Sequence, residues 1–290
     1  MVRIGKFKFV TFLLVFACSL ARAEVLFEGY SKIISNGTHI GYTVSRYEFD
    51  PKSKKFISIS FLKTSGQGLE ITESLKAYAT ADLAPLSYEY TSIAGKETKT
   101  IDAKFNGQKM TAKIKAGGKT QTLRKDLPKG TFLSTFLVYL ILKSKDGLKT
   151  DSNYDYQAIA EEDAEVYKGQ ASVGKEEAYL DLRAFKVQNK FKDLRFVSYV
   201  NERGEVLGTS SAAQGIATEL VADPAQAIAS FPASPSILKS LFGEIPAGKT
   251  NMLSKIKSVP PVSPGKQEGI PQGQGIQIKA GPAATKPAGK

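Results

Sequence analysis

The sequence predicts a mainly β protein: a curved antiparallel sheet, or half-barrel, wrapped around one buried apolar helix, with short C-terminal helices. Three observations carry this. Segments of alternating apolar and polar residues recur at short intervals between turn dipeptides, as antiparallel strands do. Outside the N-terminus there is one long apolar run of helical character, Phe132 to Leu142, in which nine of eleven residues are apolar or tyrosine. Finally, Asp223-Pro224 and Ser234-Pro235 each set a capping residue before a proline suited to the first helical position.

Taken in order, residues 1–23 have the three parts of an export signal. Arg3, Lys6 and Lys8 form a basic front, Phe9 to Leu20 is mostly apolar, and Ala21-Arg22-Ala23 is a small-x-small cleavage site. The mature chain is expected to begin at Glu24 in the periplasm or outside a bacterial cell. Cys18 is the sole cysteine. Cleavage after Ala23 removes it, and with it any disulfide or thiolate chemistry. A second reading makes Cys18 a lipid-bearing N-terminus.

The body, residues 24–248, reads as one β-rich domain. Val25 to Ile34 runs into Asn36-Gly37, a hairpin signal, and Thr38 to Phe49 answers it. Asp50 to Ser53 is a turn. Ile57, Ile59 and Phe61 alternate with polar residues, and Leu69, Ile71, Leu75 and Ala77 share a parity with Glu73 among them. Leu86, Tyr88 and Tyr90 form the next strand. Ile101 to Phe105 and Met110 to Ile114 flank Asn106-Gly107, with one apolar and one charged face. Gly117-Gly118 turns the chain into a strand over Thr120 to Arg124.

The helix is expected to be capped by Thr131 and closed by Gly147, with Lys143 and Lys145 suiting its C-terminal dipole. Its apolar residues cover most of its circumference, so it should be wrapped on most sides. Ser134, Thr135, Tyr139 and Lys143 make its one weakly polar stripe. Strands then resume at Tyr154–Ala160, Glu165–Val173, Glu177–Gln188, Leu194–Val200, Glu205–Ser210 and Ile216–Val221. Helices are expected at Ala225–Phe231 and Ser236–Phe242. The remainder, residues 249–290, is rich in Pro, Gly and Lys, has no aromatic residue and reads as a disordered tail.

The net charge of +12 suggests nucleic acid, but its distribution does not. The signal and the tail hold most of the excess, and residues 24–248 carry 29 basic and 27 acidic side chains. No basic run interleaved with aromatics is present, so nucleic-acid binding is excluded. The tail's lysines suit an anionic envelope surface instead.

Catalytic chemistry has few candidates. His39 is the only histidine, and no Gly-x-Ser-x-Gly elbow, Walker pattern or dinucleotide fingerprint occurs. His39 reads as an exposed hairpin residue. The run Glu161-Glu162-Asp163-Ala164-Glu165 lacks the alternating oxygen ligands and glycine of a calcium loop and reads as a solvated connection. Arg46, Glu48 and Glu73 lie in register with apolar residues, where they either pair or line a mouth. No cofactor, metal or catalytic residue is expected, and the protein reads as a non-enzyme.

Four short motifs carry a family resemblance: Asn36 to Tyr42 (Asn-Gly-x-x-Ile-Gly-Tyr), Pro85 to Tyr90 (Pro-Leu-Ser-Tyr-Glu-Tyr), Leu127 to Thr131 (Leu-Pro-Lys-Gly-Thr) and Glu202 to Leu207 (Glu-Arg-Gly-Glu-Val-Leu). With these the chain resembles an uncharacterised family of exported bacterial β-rich domains, sometimes found beside transglutaminase-like domains. More loosely, it is similar to the half-barrels of periplasmic lipoprotein carriers, whose concave face binds acyl chains. That resemblance implies a hydrophobic ligand, a lipid or acyl chain, held between sheet and helix by Tyr88, Tyr90, Phe136 and Tyr139. The alternative is a structural or protein-interaction module of the envelope with a fully packed core. A carboxylate-based hydrolase is a third reading.

Overall fold

The structure, a computed structural model, describes residues 23–66, 70–231 and 235–257. The export signal with Cys18, the parity of Leu69, the Ser234 cap and the tail beyond Lys257 lie outside these residues. Eight strands come first: β1 (Glu24–Ser35), β2 (Thr38–Asp50), β3 (Lys55–Thr64), β4 (Ile71–Thr80), β5 (Pro85–Ala94), β6 (Glu97–Asn106), β7 (Lys109–Ala116) and β8 (Lys119–Asp126). After β9 (Phe132–Leu133), a 3-10 turn (Ser134–Phe136) leads into α1 (Leu137–Lys143). The strands resume as β10 (Asn153–Ala160), β11 (Glu165–Tyr179), β12 (Leu182–Phe191), β13 (Leu194–Val200), β14 (Val206–Ser211) and β15 (Ile216–Val221). Three short helices follow: α2 (Pro224–Ile228), α3 (Pro235–Phe242) and α4 (Met252–Lys257).

The strands form one sheet in the order β8-β7-β6-β5-β4-β3-β2-β1-β15-β14-β13-β12-β11-β10-β9. It is two meanders joined where β1 pairs with β15, from Tyr30 opposite Val221 to Ser35 opposite Ile216. Neighbours are antiparallel except β9, which runs parallel to β10 through Phe132–Ala158 and Leu133–Ile159. The sheet curls until its two ends share one core. Ala77, Tyr88, Ile101 and Met110 from one end and Tyr156, Ala171 and Val187 from the other belong to the cluster that holds Phe136, Tyr139 and Ile141. An ion pair between Lys125 of β8 and Glu165 of β11 ties the ends together. No ladder joins β8 to β9 among the described residues, so the sheet is open.

The other face of β1–β3 is also covered. Tyr30, Tyr42, Val44, Ile59, Phe61 and Val221 pack against Ala227 of α2, Phe231 beyond it, and Leu238 and Phe242 of α3. A third cluster joins Leu253 of α4 to Phe27, Ala184, Leu207 and Leu220. Arg46 and Glu48, in register with Tyr42 and Val44, are paired on this covered face. Arg46 Nε donates to Glu28 Oε2 at 2.7 Å, its Nη1 reaches the Phe242 carbonyl at 3.2 Å and Glu48 at 3.5 Å, and its Nη2 reaches Glu244 at 3.3 Å. The Phe242 ring lies 5.4 Å from the guanidinium carbon. Glu28 also accepts from the Gly248 amide at 2.6 Å.

Several expected boundaries move, each for a visible reason. The helix begins at Leu137 because Phe132 and Leu133 are used as a strand. Thr131 caps nothing and donates instead to the Pro128 carbonyl at 2.8 Å. The helix ends at Lys143 with Ser144 extended, and the Gly147 amide bonds to Ser144 Oγ at 3.1 Å. The expected strand Glu177–Gln188 is a hairpin: Leu180 and Asp181 adopt φ of 52° and 65° and reverse the chain without a glycine or asparagine. That turn moves the boundary between two expected strands to β11 and β12, and the strand not expected from the sequence is β9. The folded part also passes the expected limit at Gly248. Asn251 Oδ1 accepts from the Ser254 amide at 2.8 Å and starts α4, while its Nδ2 donates to the Glu28 carbonyl at 2.9 Å. His39 is half-buried rather than exposed, its ring edge-on to Phe231 with centroids 5.0 Å apart.

Arg46 neutralises a buried carboxylate, so truncating it strands that charge. Arg46→Ala should cost about 3–5 kcal/mol in urea unfolding, whereas Arg46→Met combined with Glu28→Gln should cost clearly less. Equal losses for the two would refute a charge-pairing role.

Candidate functional site around the central helix

The concave face is where the sequence places a ligand. Phe136 enters it because the 3-10 turn directs the chain inward after β9, and Tyr139 and Ile141 follow on α1. Tyr88 and Tyr90 reach it from β5, opposite Ala77 and Leu75 of β4, whose smaller side chains leave room for the rings. The structure therefore brings the four expected residues into one cluster, and it packs them. Tyr88 and Phe136 are 0% exposed, Tyr90 8% and Tyr139 9%. The Tyr47 ring stands 5.2 Å from Tyr139 and 6.4 Å from Phe136, and Phe56 adds centroids at 5.3 Å and 6.3 Å. Tyr139, expected on the polar stripe, belongs to the core. At these positions side chains fill the expected gap between helix and sheet.

The polar atoms here mostly bind one another. Tyr90 donates to Glu73 at 2.8 Å, which accounts for that inward carboxylate. Tyr47 donates to the Thr135 carbonyl at 3.1 Å, and the Ser58 and Thr135 hydroxyls meet at 2.7 Å. The Tyr88 hydroxyl is buried without a partner. Burial pushes the Tyr47, Tyr88, Tyr90 and Tyr139 phenols well above the usual range.

Glu161 departs from the solvated reading of its acidic run. It heads that run, yet it is 4% exposed. Its carboxylate accepts from Ser134 Oγ at 2.5 Å and from the Thr135 amide at 3.1 Å, which clamps the 3-10 turn to the end of β10. Burial raises its pKa to about 7, against the lowering effect of those two donors. Glu162 and Asp163 behave as expected, outside, each 2.6 Å from Lys192 Nζ. His39 lies beside Phe231, its Nε2 2.8 Å from the Gly41 carbonyl, and is not brought to the Ser134–Glu161 pair.

Clefts lie elsewhere among the described residues, and three of them are lined by none of Tyr88, Tyr90, Phe136 and Tyr139. One of about 770 Å³ runs beside β10, between Asp155 to Gln157 on one side and Lys129, Gly130 and Leu140 on the other. A second, about 710 Å³, crosses β10–β14 over Asn153, Gln170, Ser172, Gln188 and Arg195. The third, about 420 Å³, separates α3 from Lys76 and Glu89. Gly204 closes the helix from outside. Its φ is 79°, and a Cβ there would stand 2.4 Å from Leu142 Cδ1.

No family model and no curated protein matches the chain. Two solved structures are similar to part of it. A beta-barrel-like protein of a domain of unknown function, DUF1849, from Brucella abortus is 15% identical, with 68% of this chain and 97% of that chain covered and a TM-score of 0.44. A DUF1089 family protein from Pseudomonas aeruginosa is 11% identical, with 59% and 90% covered and a TM-score of 0.35. Both are bacterial, and the likeness extends to the fold alone.

Glu161 gives the protein a pH dependence of known sign. The folded carboxyl ionises near 7 and the unfolded one near 4.5, so between these values the folded state holds a proton that the unfolded state has released. Its contribution is full below pH 4.5 and is lost as pH rises towards 7, by about 3 kcal/mol in unfolding free energy. Glu161→Gln keeps an acceptor for Ser134 and Thr135 and should flatten that slope in urea titrations. An unchanged slope would place the proton elsewhere.

Proposed function

We propose that this is a non-enzymatic module of the bacterial cell envelope, exported by residues 1–23, that works through its surface rather than through an internal ligand. One observation carries the reading: Tyr88, Tyr90, Phe136 and Tyr139 belong to one core cluster, Phe136 and Tyr139 against Tyr47 and Phe56, with no more than 9% of any of the four exposed. The carrier reading needs room for an acyl chain between sheet and helix, and at these positions side chains occupy it. Displacing the helix would uncover Phe136, Ile141 and Leu133, each of which loses about 2–3 kcal/mol when exposed to water. A lipid would have to restore all of that before adding any net affinity.

The test is native mass spectrometry of the chain from Glu24 to Lys290, purified from its own envelope without detergent. The module reading expects a clean protein mass and no uptake of added phospholipid or fatty acid. It also expects Phe136→Ala to cost about 3–5 kcal/mol in stability, as an ordinary core truncation does. A stoichiometric lipid adduct that Phe136→Ala or Tyr139→Ala removes from a still-folded protein would restore the carrier reading in place of this one.

A further inference from the structure

The positive excess of the folded body sits in one place. Residues 97–126, which contain β6, β7 and β8, carry eight basic and three acidic side chains, while the rest of residues 24–248 has 21 basic and 24 acidic. The registers of these strands put five of the eight basic side chains on the outer face with Asp102 and Asp126, while Lys99, Lys119 and Lys125 lie on the other side. Lys104, Thr111 and Arg124 form one cross-strand row, Asp102, Lys113 and Thr122 the next, and Thr100, Lys115 and Thr120 a third, with Asn106, Lys109 and Asp126 at the end. The opposite side of the same strands is the core side, with Ile101, Ala103, Met110 and Ala112 buried. Lys104, Lys109, Lys113, Lys115 and Arg124 are all exposed. Among the described residues none of the five is held in an ion pair.

We infer that this face docks on an anionic lipid surface. The inference rests on the surface-module reading above and names its partner. The face carries only charged, hydroxyl and amide side chains, with no aromatic or aliphatic residue in any of the four rows. It therefore has no platform on which a nucleobase could stack. Three strands and four rows make a patch roughly 10 Å across and 20 Å long, so a plane of phosphates meets the whole of it, whereas a single polymer strand follows one row. Lysines on an edge strand discourage edge-to-edge association, and Arg124 on β8 fits that role. Lys104, Lys109, Lys113 and Lys115 stand on β6 and β7, which are paired on both sides, so no edge needs them there. Near an anionic leaflet each such cation is worth about a fivefold gain in partitioning.

The experiment is co-sedimentation of the chain from Glu24 to Lys290 with vesicles of phosphatidylcholine alone or mixed with phosphatidylglycerol. Wild type should pellet only with the mixed vesicles and should be released by molar salt. The triple variant Lys104→Glu, Lys113→Glu, Lys115→Glu should lose about a hundredfold in affinity or more. Lys52→Glu, Lys54→Glu, Lys55→Glu changes net charge equally in the exposed β2–β3 turn and should lose less than tenfold. The glutamine versions of the face triple give a smaller loss in the same direction and guard against a glutamate variant that fails to fold. Equal losses for the two triples would make total charge the cause and overturn the proposal. So would an absence of vesicle binding, or a preference for soluble alginate over the vesicles. A lipid adduct in native mass spectrometry that the face variants leave intact would instead count against the packed-core reading.

Discussion

The constraint on which the structure depends is the burial of one apolar segment, Phe132 to Ile141. A helix with apolar residues around most of its circumference cannot rest on a flat sheet, because a flat sheet shelters one side only. Here the sheet curls until β4–β7 and β10–β12 reach the segment from opposite directions. Curling brings the ends close enough for Lys125 and Glu165 to pair, and the two-residue strand β9 fastens the segment to β10. The meander order follows simply. Among the described residues strands pair with their chain neighbours, save that β8 and β9 do not, and β1 pairs with β15 to join the two meanders.

Two buried polar groups set details that apolar packing leaves free. Glu161 holds Ser134 and Thr135 in a 3-10 turn, so α1 starts one turn later than its apolar pattern alone suggests. Glu28 and Arg46 do the same on the outer face. Between them they bind the Phe242 carbonyl, Glu244 and the Gly248 amide, which fixes the path of the chain from α3 towards α4. An apolar pair in their place would pack as well but would leave that path unspecified.

The strands were legible where a local signal existed. Asn36-Gly37 and Gly117-Gly118 both adopt positive φ at the two central positions, and both hairpins lie where those dipeptides put them. Leu180-Asp181 makes the same kind of turn from residues that rarely do so, and it was invisible. The central helix was legible as apolar, but not its start, because Phe132 and Leu133 suit a strand and a helix equally and the choice depends on β10, some 25 residues away. The four core aromatics were legible as a group. Whether they bounded a gap or filled one depended on Tyr47 and Phe56, on strands whose inward parity could be read but whose reach could not. The run Glu161 to Glu165 reads as solvated because charge runs usually are, and burial at one position of such a run leaves no mark in composition.

A filled interior moves the question of function outward, and the outer face is not uniform. Helices α2 and α3 cover β1–β3 with an apolar cluster. Over β6–β8 the same side of the sheet has no apolar residue to cover, and its lysines stand in rows with threonine between them. Solubility alone does not require that sorting. A domain with a nearly balanced body dissolves well with its charges mixed, and mixing also avoids the repulsion incurred by a face with five cations and only two acids, Asp102 and Asp126. That repulsion is relieved when a surface of the opposite sign approaches, so the face is least comfortable free in solution and most comfortable docked. The Lys-rich chain after α4 adds cations of the same sign to the same molecule. Two weak attractions on one molecule hold it to a surface more firmly than either does alone.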